Sequence, residues 1–167
     1  MNIEKVSTNG FKISDVFDKE HLEKIVNLID TVPAVAKKLT PGGYREDIGV
    51  DFGETRDYVV NCFIDNLRTV TPEINIISTV SMWRDYNGYT NGLHYDCDCF
   101  KHLMIVYLGD GNNGINGTQW IDDNQEYSVP YAINTGLILL NCEFVLHGMI
   151  GAIENMDYRR TMYIGWS

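Results

Sequence analysis

Residues 135–166 read TGLILLNCEFVLHGMIGAIENMDYRRTMYIGW, and this stretch decides the expected fold. It contains three short segments rich in aliphatic and aromatic residues, at 136–141, 144–150 and 158–166, which Gly, Asn and Asp separate. Short apolar segments between turn-forming residues are typical of β-strands that pack into a core. We therefore expect consecutive strands with short connections in this part of the chain.

The same pattern continues upstream of this stretch, and helical patterns precede it. Further strand candidates are 74–83, 93–96, 101–108, 118–121 and 126–129. In front of them, apolar residues at three- and four-residue spacings predict helices over 19–32 and about 55–69. A short strand over 10–13 precedes the first helix, and the turn-rich segment 41–53 separates the helices. This order predicts a mainly β fold with N-terminal helices, a jelly roll or sandwich buttressed by two helices.

Length and charge narrow the expected organisation and partners. The chain has 167 residues, so we expect a single domain, with helical support over 1–72 and a jelly-roll core over 73–167. Thirteen Lys and Arg against 23 Asp and Glu give a net charge of −10. Charge of that sign repels nucleic-acid phosphates and anionic membranes. We expect instead a neutral or basic partner, or a small molecule.

The sequence carries no targeting or spanning segment that we can identify. It has no apolar run long enough to cross a bilayer, and residues 1–5, MNIEK, lack the apolar core of a signal peptide. We therefore expect a cytoplasmic protein with reduced thiols. No Cys-x-x-Cys pair occurs among the four cysteines, which are Cys62, Cys97, Cys99 and Cys142.

Two arginines end a long stretch without cations. Residues 102–158 contain seven acidic residues and no Lys or Arg, and Arg159 and Arg160 follow directly. Because side chains alternate along a strand, Arg159, Thr161 and Tyr163 share one face of the predicted strand, and Arg160 lies on the other. A buried guanidinium needs an anion. Two partners for such a guanidinium are therefore open: one of those seven acids, in an ion pair, or a bound anionic ligand.

His94 and Asp96 form a His-Tyr-Asp triplet in a predicted strand. The two-residue step returns both side chains to one face, about 7 Å apart at the backbone. With His147, which follows 51 residues after Asp96, they give the two histidines and one carboxylate that non-haem Fe(II) oxygenases use. A structural role is the alternative, since His-x-Asp also occurs by chance. His102 is a rival ligand, which with His94, Asp96 and Cys99 would form a zinc site.

In order, these features resemble the Fe(II)/2-oxoglutarate-dependent dioxygenase family, specifically its compact prolyl-4-hydroxylase-like branch. The resemblance rests on His94-Tyr-Asp96, then His147-Gly148, then Arg159-Arg-Thr161 twelve residues after the second histidine. The strand before His94 and the strand before His147 add to it, and the likeness covers roughly residues 74–166. It implies a double-stranded β-helix, the cupin-like jelly roll, in which His94, Asp96 and His147 bind Fe(II).

The resemblance also implies a site for the co-substrate 2-oxoglutarate. In the family's pattern Arg159 pairs with the distal carboxylate of 2-oxoglutarate, and Thr161 is a hydroxyl donor on the same face. Tyr107 matches a tyrosine that contacts this carboxylate, and Tyr86 matches a further active-site tyrosine. The family often has Gly-Gly-Glu or a similar triplet where this chain has residues 117–120, GTQW, so the substrate side of the site stays open.

The implied activity is oxidative decarboxylation of 2-oxoglutarate to succinate and CO₂, coupled through Fe(II) and O₂ to hydroxylation of a second substrate. A prolyl residue in a peptide or protein is the favoured substrate, a small molecule is the alternative, and ascorbate is expected to support turnover. The segments 41–56 and 109–117 are candidate lids. Two other functions stay open, a non-catalytic jelly-roll binding module and a cupin-like zinc or iron protein that does not use 2-oxoglutarate. The sequence leaves the oligomeric state undetermined.

Overall fold

The computed structural model describes residues 1–49, 54–74, 77–96, 100–109, 116–154 and 156–167, with the backbone alone for 54–56 and 62. Within these ranges the helices and strands are β1 (Asn2–Lys5), β2 (Gly10–Ser14), α1 (Lys19–Thr31), β3 (Ala36–Thr40), β4 (Gly43–Asp47), α2 (Glu54–Leu67), β5 (Ile77–Tyr86), β6 (His102–Tyr107), β7 (Thr118–Asp122), β8 (Gln125–Val129), β9 (Thr135–Leu139), β10 (Leu146–Met149) and β11 (Tyr158–Trp166). No helix in these ranges is both long and apolar enough to cross a membrane.

The strands of the described residues form two antiparallel sheets. The larger has eight strands in the order β1-β2-β9-β6-β11-β5-β4-β3, and the smaller has the order β10-β7-β8. The neighbours in sequence are often not neighbours in the sheet, and β11 lies between β5 and β6. This is the jelly-roll, double-stranded β-helix arrangement that the sequence predicted.

Both faces of the central strands of the larger sheet are buried, and each face packs against a different layer. The helices α1 and α2 pack on one face through residues such as Ile29 and Phe63, against Met162 and Ile164 of β11. The smaller sheet packs against the opposite face, where Trp120 is fully buried. The predicted buttressing by two helices is therefore confirmed.

Helix α1 begins and ends where its sequence requires. The Asp18 side chain caps the N-terminus by accepting the backbone N–H of His21 over 2.9 Å. The apolar residues Ile25 and Ile29, four positions apart, are buried. Val32 lies in extended conformation directly before Pro33, which cannot continue the helix.

The N-terminal region supplies strands as well as helices, which corrects the expected division of the chain. Strands β1 to β4 all precede residue 72, and they form both edges of the larger sheet. Residues 43–47 of the expected turn-rich lid 41–56 are strand β4, which pairs with β5. Gly43 permits this contact, because a Cβ atom there would lie 2.1 Å from the backbone nitrogen of Tyr89. Residues 50–53 of that segment, and 110–115 of the other candidate lid, lie outside the described residues.

The predicted strand over 93–96 is also corrected. His94 forms a single isolated bridge with His147 on β10, and the described residues beside it form no ladder. The remaining strand and helix predictions agree with the structure within a few residues at each end. Cys142 is a buried free thiol, and burial raises its pKa to about 12. Cys97 and Cys99, and the side chain of Cys62, lie outside the described residues.

Candidate active site

Three predicted ligands meet at one point of the structure. One ligand atom from each of His94, Asp96 and His147 lies within 4.8 Å of the others. The Asp96 carboxylate oxygens lie 3.4 Å from Nε2 of His94 and 3.3 Å from Nε2 of His147. His147 is buried, and His94 and Asp96 are partly exposed. This cluster therefore has one side closed by the fold and one side open to a ligand.

The backbone places the two histidines directly opposite each other. The N–H of His94 donates to the carbonyl of His147 over 2.8 Å, and the N–H of His147 donates back over 3.0 Å. This approach depends on Gly148, because a Cβ atom there would lie 2.6 Å from the carbonyl oxygen of Gly92. A glycine directly after the second histidine thus allows the first to reach it.

Hydrogen bonds orient both imidazole rings toward the carboxylate. Nδ1 of His94 lies 2.8 Å from the carbonyl oxygen of Gly92, and Nδ1 of His147 lies 2.9 Å from that of Val145. A carbonyl oxygen only accepts, so each Nδ1 carries a proton and donates it. Each Nε2 then faces Asp96. Neutral imidazoles bonded in this way, with one carboxylate, fit a divalent metal ion such as Fe(II).

The electrostatics of the cluster favour a cation. Burial acts to raise the pKa of Asp96, but hydrogen bonds from His147 and His94, which donate only when Nε2 is also protonated, and from Tyr163 outweigh it and hold that pKa well below its usual range. The hydrogen bond with Asp96 is also the main reason why the pKa of His94 is raised. Asp96 is therefore ionised, and either a protonated imidazole or a metal ion can balance its negative charge.

Tyr163 is part of the site, and the motifs had not singled it out. Its hydroxyl group donates to Oδ2 of Asp96 over 2.6 Å, which fixes the orientation of the carboxylate. The signal that could have found it was the alternation along β11, which places Tyr163 on the same face as Arg159 and Thr161.

A cavity of about 520 Å³ opens beside the cluster. Its walls include the three clustered residues, and also Arg159, Thr161 and Tyr163 of β11, as predicted from their shared face. The hydroxyl oxygen of Thr161 is buried and has no hydrogen-bond partner among the described residues. A buried hydroxyl without a partner is costly, so this group is available to a ligand.

Arg159 lies in the cavity wall and forms an ion pair with Asp85. Only 3% of its surface is exposed. Its Nε and Nη2 donate to Oδ2 of Asp85 over 3.0 and 2.7 Å, and its Nη1 donates to the carbonyl of Asn116 over 2.6 Å. The internal partner is thus not one of the seven acids over 102–158 but a residue of β5. A guanidinium group has five N–H donors, so two have no partner among the described residues.

Asp85 is shared between two arginines. It is fully buried, and Arg45 of β4 binds it from the other side through Nε and Nη2, the latter over 3.0 Å. Burial raises the pKa of Asp85, but the charges and hydrogen bonds of Arg45 and Arg159 outweigh it, and the net shift is downward. No sequence pattern predicted this arrangement, because the three residues come from distant segments.

The two tyrosines of the resemblance lie in different places. Tyr107 is opposite Thr161 in the sheet, fully buried, and donates to the Thr118 hydroxyl over 2.7 Å. Burial raises the pKa of Tyr107 to about 12, so it stays a neutral donor. Tyr86 lies on the helix-side face of β5 and donates to Glu46 over 2.8 Å. The structure does not bring Tyr86 to the cavity, because the strand alternation that turns Asp85 inward turns Tyr86 outward.

The rival zinc site is not assembled in the described residues. His102 begins β6, where its Nδ1 accepts the backbone N–H of Asn141 over 3.2 Å. It does not belong to the cluster of His94, Asp96 and His147. Cys99, the fourth candidate ligand, lies outside the described residues.

No protein-family model matches the chain, and no curated protein matches it. The chain does match solved structures. A Pseudomonas putida prolyl-4-hydroxylase is 13% identical with a TM-score of 0.70, and the match covers 95% of this chain and 92% of that one. A prolyl hydroxylase from Trichoplax adhaerens, in complex with a peptide fragment of the hypoxia inducible factor oxygen degradation domain, is 14% identical with a TM-score of 0.73, over 95% and 84% of the chains.

A third similar structure is HygX from Streptomyces hygroscopicus, with nickel and 2-oxoglutarate bound. It is 13% identical with a TM-score of 0.69, and the match covers 95% of this chain and 83% of that one. At such identities the likeness establishes the fold. The chain therefore has the fold of the Fe(II)/2-oxoglutarate-dependent oxygenases, prolyl hydroxylases among them.

Proposed function

We propose that the protein is an Fe(II)- and 2-oxoglutarate-dependent oxygenase that hydroxylates an organic substrate. The observation that carries the proposal is the convergence of His94, Asp96 and His147 within 4.8 Å, beside a cavity that also exposes Arg159 and Thr161. A metal site next to a guanidinium group suits a dicarboxylate that chelates the metal at one end and forms an ion pair at the other. The shared fold supports the same function.

His94, Asp96 and His147 would hold the metal. When bound, Fe(II) supplies, with O₂ and 2-oxoglutarate, the oxidative chemistry that yields succinate, CO₂ and a hydroxylated product, and ascorbate supports it. Asp96 contributes the one anionic ligand, and Tyr163 holds it in place. The backbone carbonyls at Nδ1 of both imidazoles keep each Nε2 directed at the metal position.

The wall of the cavity would bind the co-substrate. Arg159 retains two N–H donors for the distal carboxylate, and Thr161 adds its unpartnered hydroxyl group. Tyr107 acts indirectly, because its hydroxyl group is bonded to Thr118, which also lines the cavity. Tyr86 is left out of the proposed site, since it contacts Glu46 on the opposite face.

For the primary substrate we propose a prolyl residue in a peptide or protein. Two proteins of the same fold are named prolyl hydroxylases, and one of them was solved with a peptide. A cavity of about 520 Å³ has room for a residue beside a bound co-substrate. Trp83 and Tyr163 line it and would exclude water from the reacting atoms.

A second candidate is a cupin-like metal protein that does not use 2-oxoglutarate. It is favoured by one observation, that Asp85 already supplies Arg159 with a carboxylate partner. In that case the ion pair of Arg159 with Asp85 would stabilise the fold, and Arg159 would not bind a ligand. The two candidates differ in whether added 2-oxoglutarate reaches the metal.

Anaerobic titration of the Fe(II)-loaded protein with 2-oxoglutarate tests the proposal. We expect a weak visible charge-transfer band on titration, and succinate once O₂ and ascorbate are admitted. Asp96→Ala should abolish metal binding, the band and succinate release, because it removes the anionic ligand. Asp157→Ala removes an exposed acid outside the cavity and should change none of them.

Each contrary outcome has a distinct meaning. Wild-type metal binding and turnover in Asp96→Ala would show that the assigned ligands are wrong. Metal binding by the wild-type protein without a band or succinate would favour the cupin-like metal protein. A band without succinate would favour a binding module that has lost the chemistry.

A further inference from the structure

One row of residues across the larger sheet carries two guanidinium groups around a single carboxylate. Arg45 of β4 and Arg159 of β11 are both direct cross-strand partners of Asp85 on β5. All three side chains point to the same face, since both arginines bond the Asp85 carboxylate. The row therefore runs cation, anion, cation across three adjacent strands beneath the cavity.

The row is buried and carries an excess of one positive charge. The exposed fractions of the side chains are 11% for Arg45, 0% for Asp85 and 4% for Arg159. Asp47 lies in the next row, as the cross-strand partner of Trp83, and its carboxylate accepts the backbone N–H of Gly49. Asp47 also lines the cavity and attracts Arg45, so it offsets part of the surplus charge. Two guanidinium groups at one cavity still suit an anionic ligand.

Both guanidinium groups keep donors for that anion. Arg159 uses three of its five N–H groups, and Arg45 uses two on Asp85. The described residues offer no further acceptor to Arg45, and both arginines line the cavity. Arg45 is also held in place by ring faces, with its guanidinium carbon 3.8 Å from the ring centre of Trp83 and 4.7 Å from that of Tyr89.

We propose that Arg45 is a specificity-determining residue, whose guanidinium group joins Arg159 in binding the distal carboxylate of the 2-oxo acid. The inference rests on the proposed function and adds a second cationic anchor to it. Asp85 is then a positioning residue that holds both arginines at one distance from the ligand. Removing either arginine leaves a neutral one-to-one pair with Asp85, so the surplus charge that attracts a dicarboxylate is lost.

Equilibrium binding of two ligands measures this role without turnover. The full chain is loaded with Mn(II) and titrated by calorimetry with 2-oxoglutarate, and separately with 2-oxopentanoate, which lacks the distal carboxylate. We expect Arg45→Gln to raise the Kd for 2-oxoglutarate by about tenfold or more, since it removes a charge-assisted hydrogen bond. The Kd for 2-oxopentanoate should change by less than about twofold.

The matched control is Lys101→Gln, which removes the same charge outside the cavity. Lys101 is exposed and does not line the cavity. Because solvent screens its charge, the variant should change the Kd of either ligand by less than about threefold. Arg45→Lys keeps the charge without the planar fork, and it should raise the Kd for 2-oxoglutarate by a smaller factor than Arg45→Gln.

The outcomes separate this inference from the proposed function. If wild-type protein binds 2-oxoglutarate and Arg45→Gln binds it equally well, the role of Arg45 is overturned and the oxygenase proposal stands. If wild-type protein binds Mn(II) but not 2-oxoglutarate, both are overturned. Should Arg45→Gln fail to fold, as circular dichroism would show, Arg45→Lys decides, and an unchanged preference for 2-oxoglutarate over 2-oxopentanoate overturns the inference.

Discussion

The hydroxyl group of Tyr163 donates to the Asp96 carboxylate over 2.6 Å, and it lies on the strand that also carries Arg159 and Thr161. One strand thus orients a candidate metal ligand and supplies the candidate co-substrate contacts. Such outer hydrogen bonds fix the orientation of a ligating carboxylate before the metal arrives. The geometry of the metal position therefore depends on a residue that does not bind the metal.

Tyr163→Phe should weaken metal binding by about 10- to 100-fold, because the Asp96 carboxylate loses the hydrogen bond that orients it. Titration of the metal-free protein with Mn(II) or Fe(II) measures the effect. Tyr127→Phe is the matched control, since the Tyr127 hydroxyl group bonds Gln125 at an exposed position. Equal metal affinities for both variants would show that Tyr163 serves packing alone.

At the level of residues, the sequence predicted the relative placement of residues that lie only a few positions apart in the chain. Arg159 and Thr161 share a face by alternation along β11, so their placement followed from strand geometry. His94 and Asp96 lie two positions apart and meet in the cluster, although their segment is not a strand. The roles of Arg45 and Asp85 did not follow, because their contact depends on which strands become neighbours. The contact of Tyr86 with Glu46 did not follow either, since no motif revealed that its side of β5 faces the helices.

The bridge between His94 and His147 is the structural element on which the site depends. It lies between β10 and a segment that forms no ladder among the described residues. Its close backbone approach needs Gly148, where a Cβ atom would lie 2.6 Å from the Gly92 carbonyl oxygen. On one side of the bridge the contact continues, because Met149 donates to the carbonyl of Asn91 and Ile153 to that of Tyr89, each over 2.8 Å.

Gly148→Ala should separate the two segments and lower metal affinity by about tenfold or more, since the ligands lose their common geometry. Mn(II) titration measures the loss, and thermal melting reports whether the fold persists. Gly92→Ala is the matched control, because a Cβ atom there meets nothing within 4 Å. A Gly148→Ala protein with wild-type metal affinity would contradict the structural role assigned to this glycine.

Among the elements, the sequence predicted strands with an apolar face, but it did not predict the polar strands β3 and β4 at the edge of the sheet. Strand β11 and strand β9 are almost wholly buried, and their apolar runs identified them. Strands β3 and β4 form an edge hairpin whose residues are exposed or half-buried, so no hydrophobic period marks them. The predicted strand over 93–96 failed because its apolar residues, Leu93 and Tyr95, are exposed, and His94 forms only an isolated bridge.

The whole molecule is a stack of helices, a large sheet and a small sheet, and polar contacts at the Asp30 end of α1 link this helix to the large sheet. Arg160 of β11 donates through Nε and Nη2 to Asp30 of α1 over 2.6 and 2.9 Å, and Tyr158 donates to the same carboxylate over 2.8 Å. Burial raises the pKa of Asp30, but these hydrogen bonds outweigh it and lower the pKa.

Asp30→Asn should lower the free energy of unfolding by about 1 kcal/mol at neutral pH, where the carboxylate is ionised. A lowered folded-state pKa gives stability that is present above the ordinary value of 3.8 and is lost as the pH falls through the folded-state pKa. The difference between wild type and variant should therefore shrink below about pH 4. Urea denaturation at several pH values measures it.

Asp65→Asn is the control for that measurement, because it breaks an exposed ion pair between Asp65 of α2 and Arg68, which directly follows that helix. It should change the free energy of unfolding by less than about 0.5 kcal/mol at any of these pH values. An Asp30→Asn effect no larger than this, or one that does not depend on pH, would show that the contact does not join the layers.

Strand β11 turns Arg159 and Thr161 toward the cavity and Met162 and Ile164 toward the helices, with both faces covered. Adding or deleting one residue inside 158–166 would exchange the two sets at every later position. Related chains should therefore tolerate length changes in the connection between β10 and β11, and hardly any within β11 itself. Evolution can therefore substitute side chains in β11 but cannot change the number of its residues.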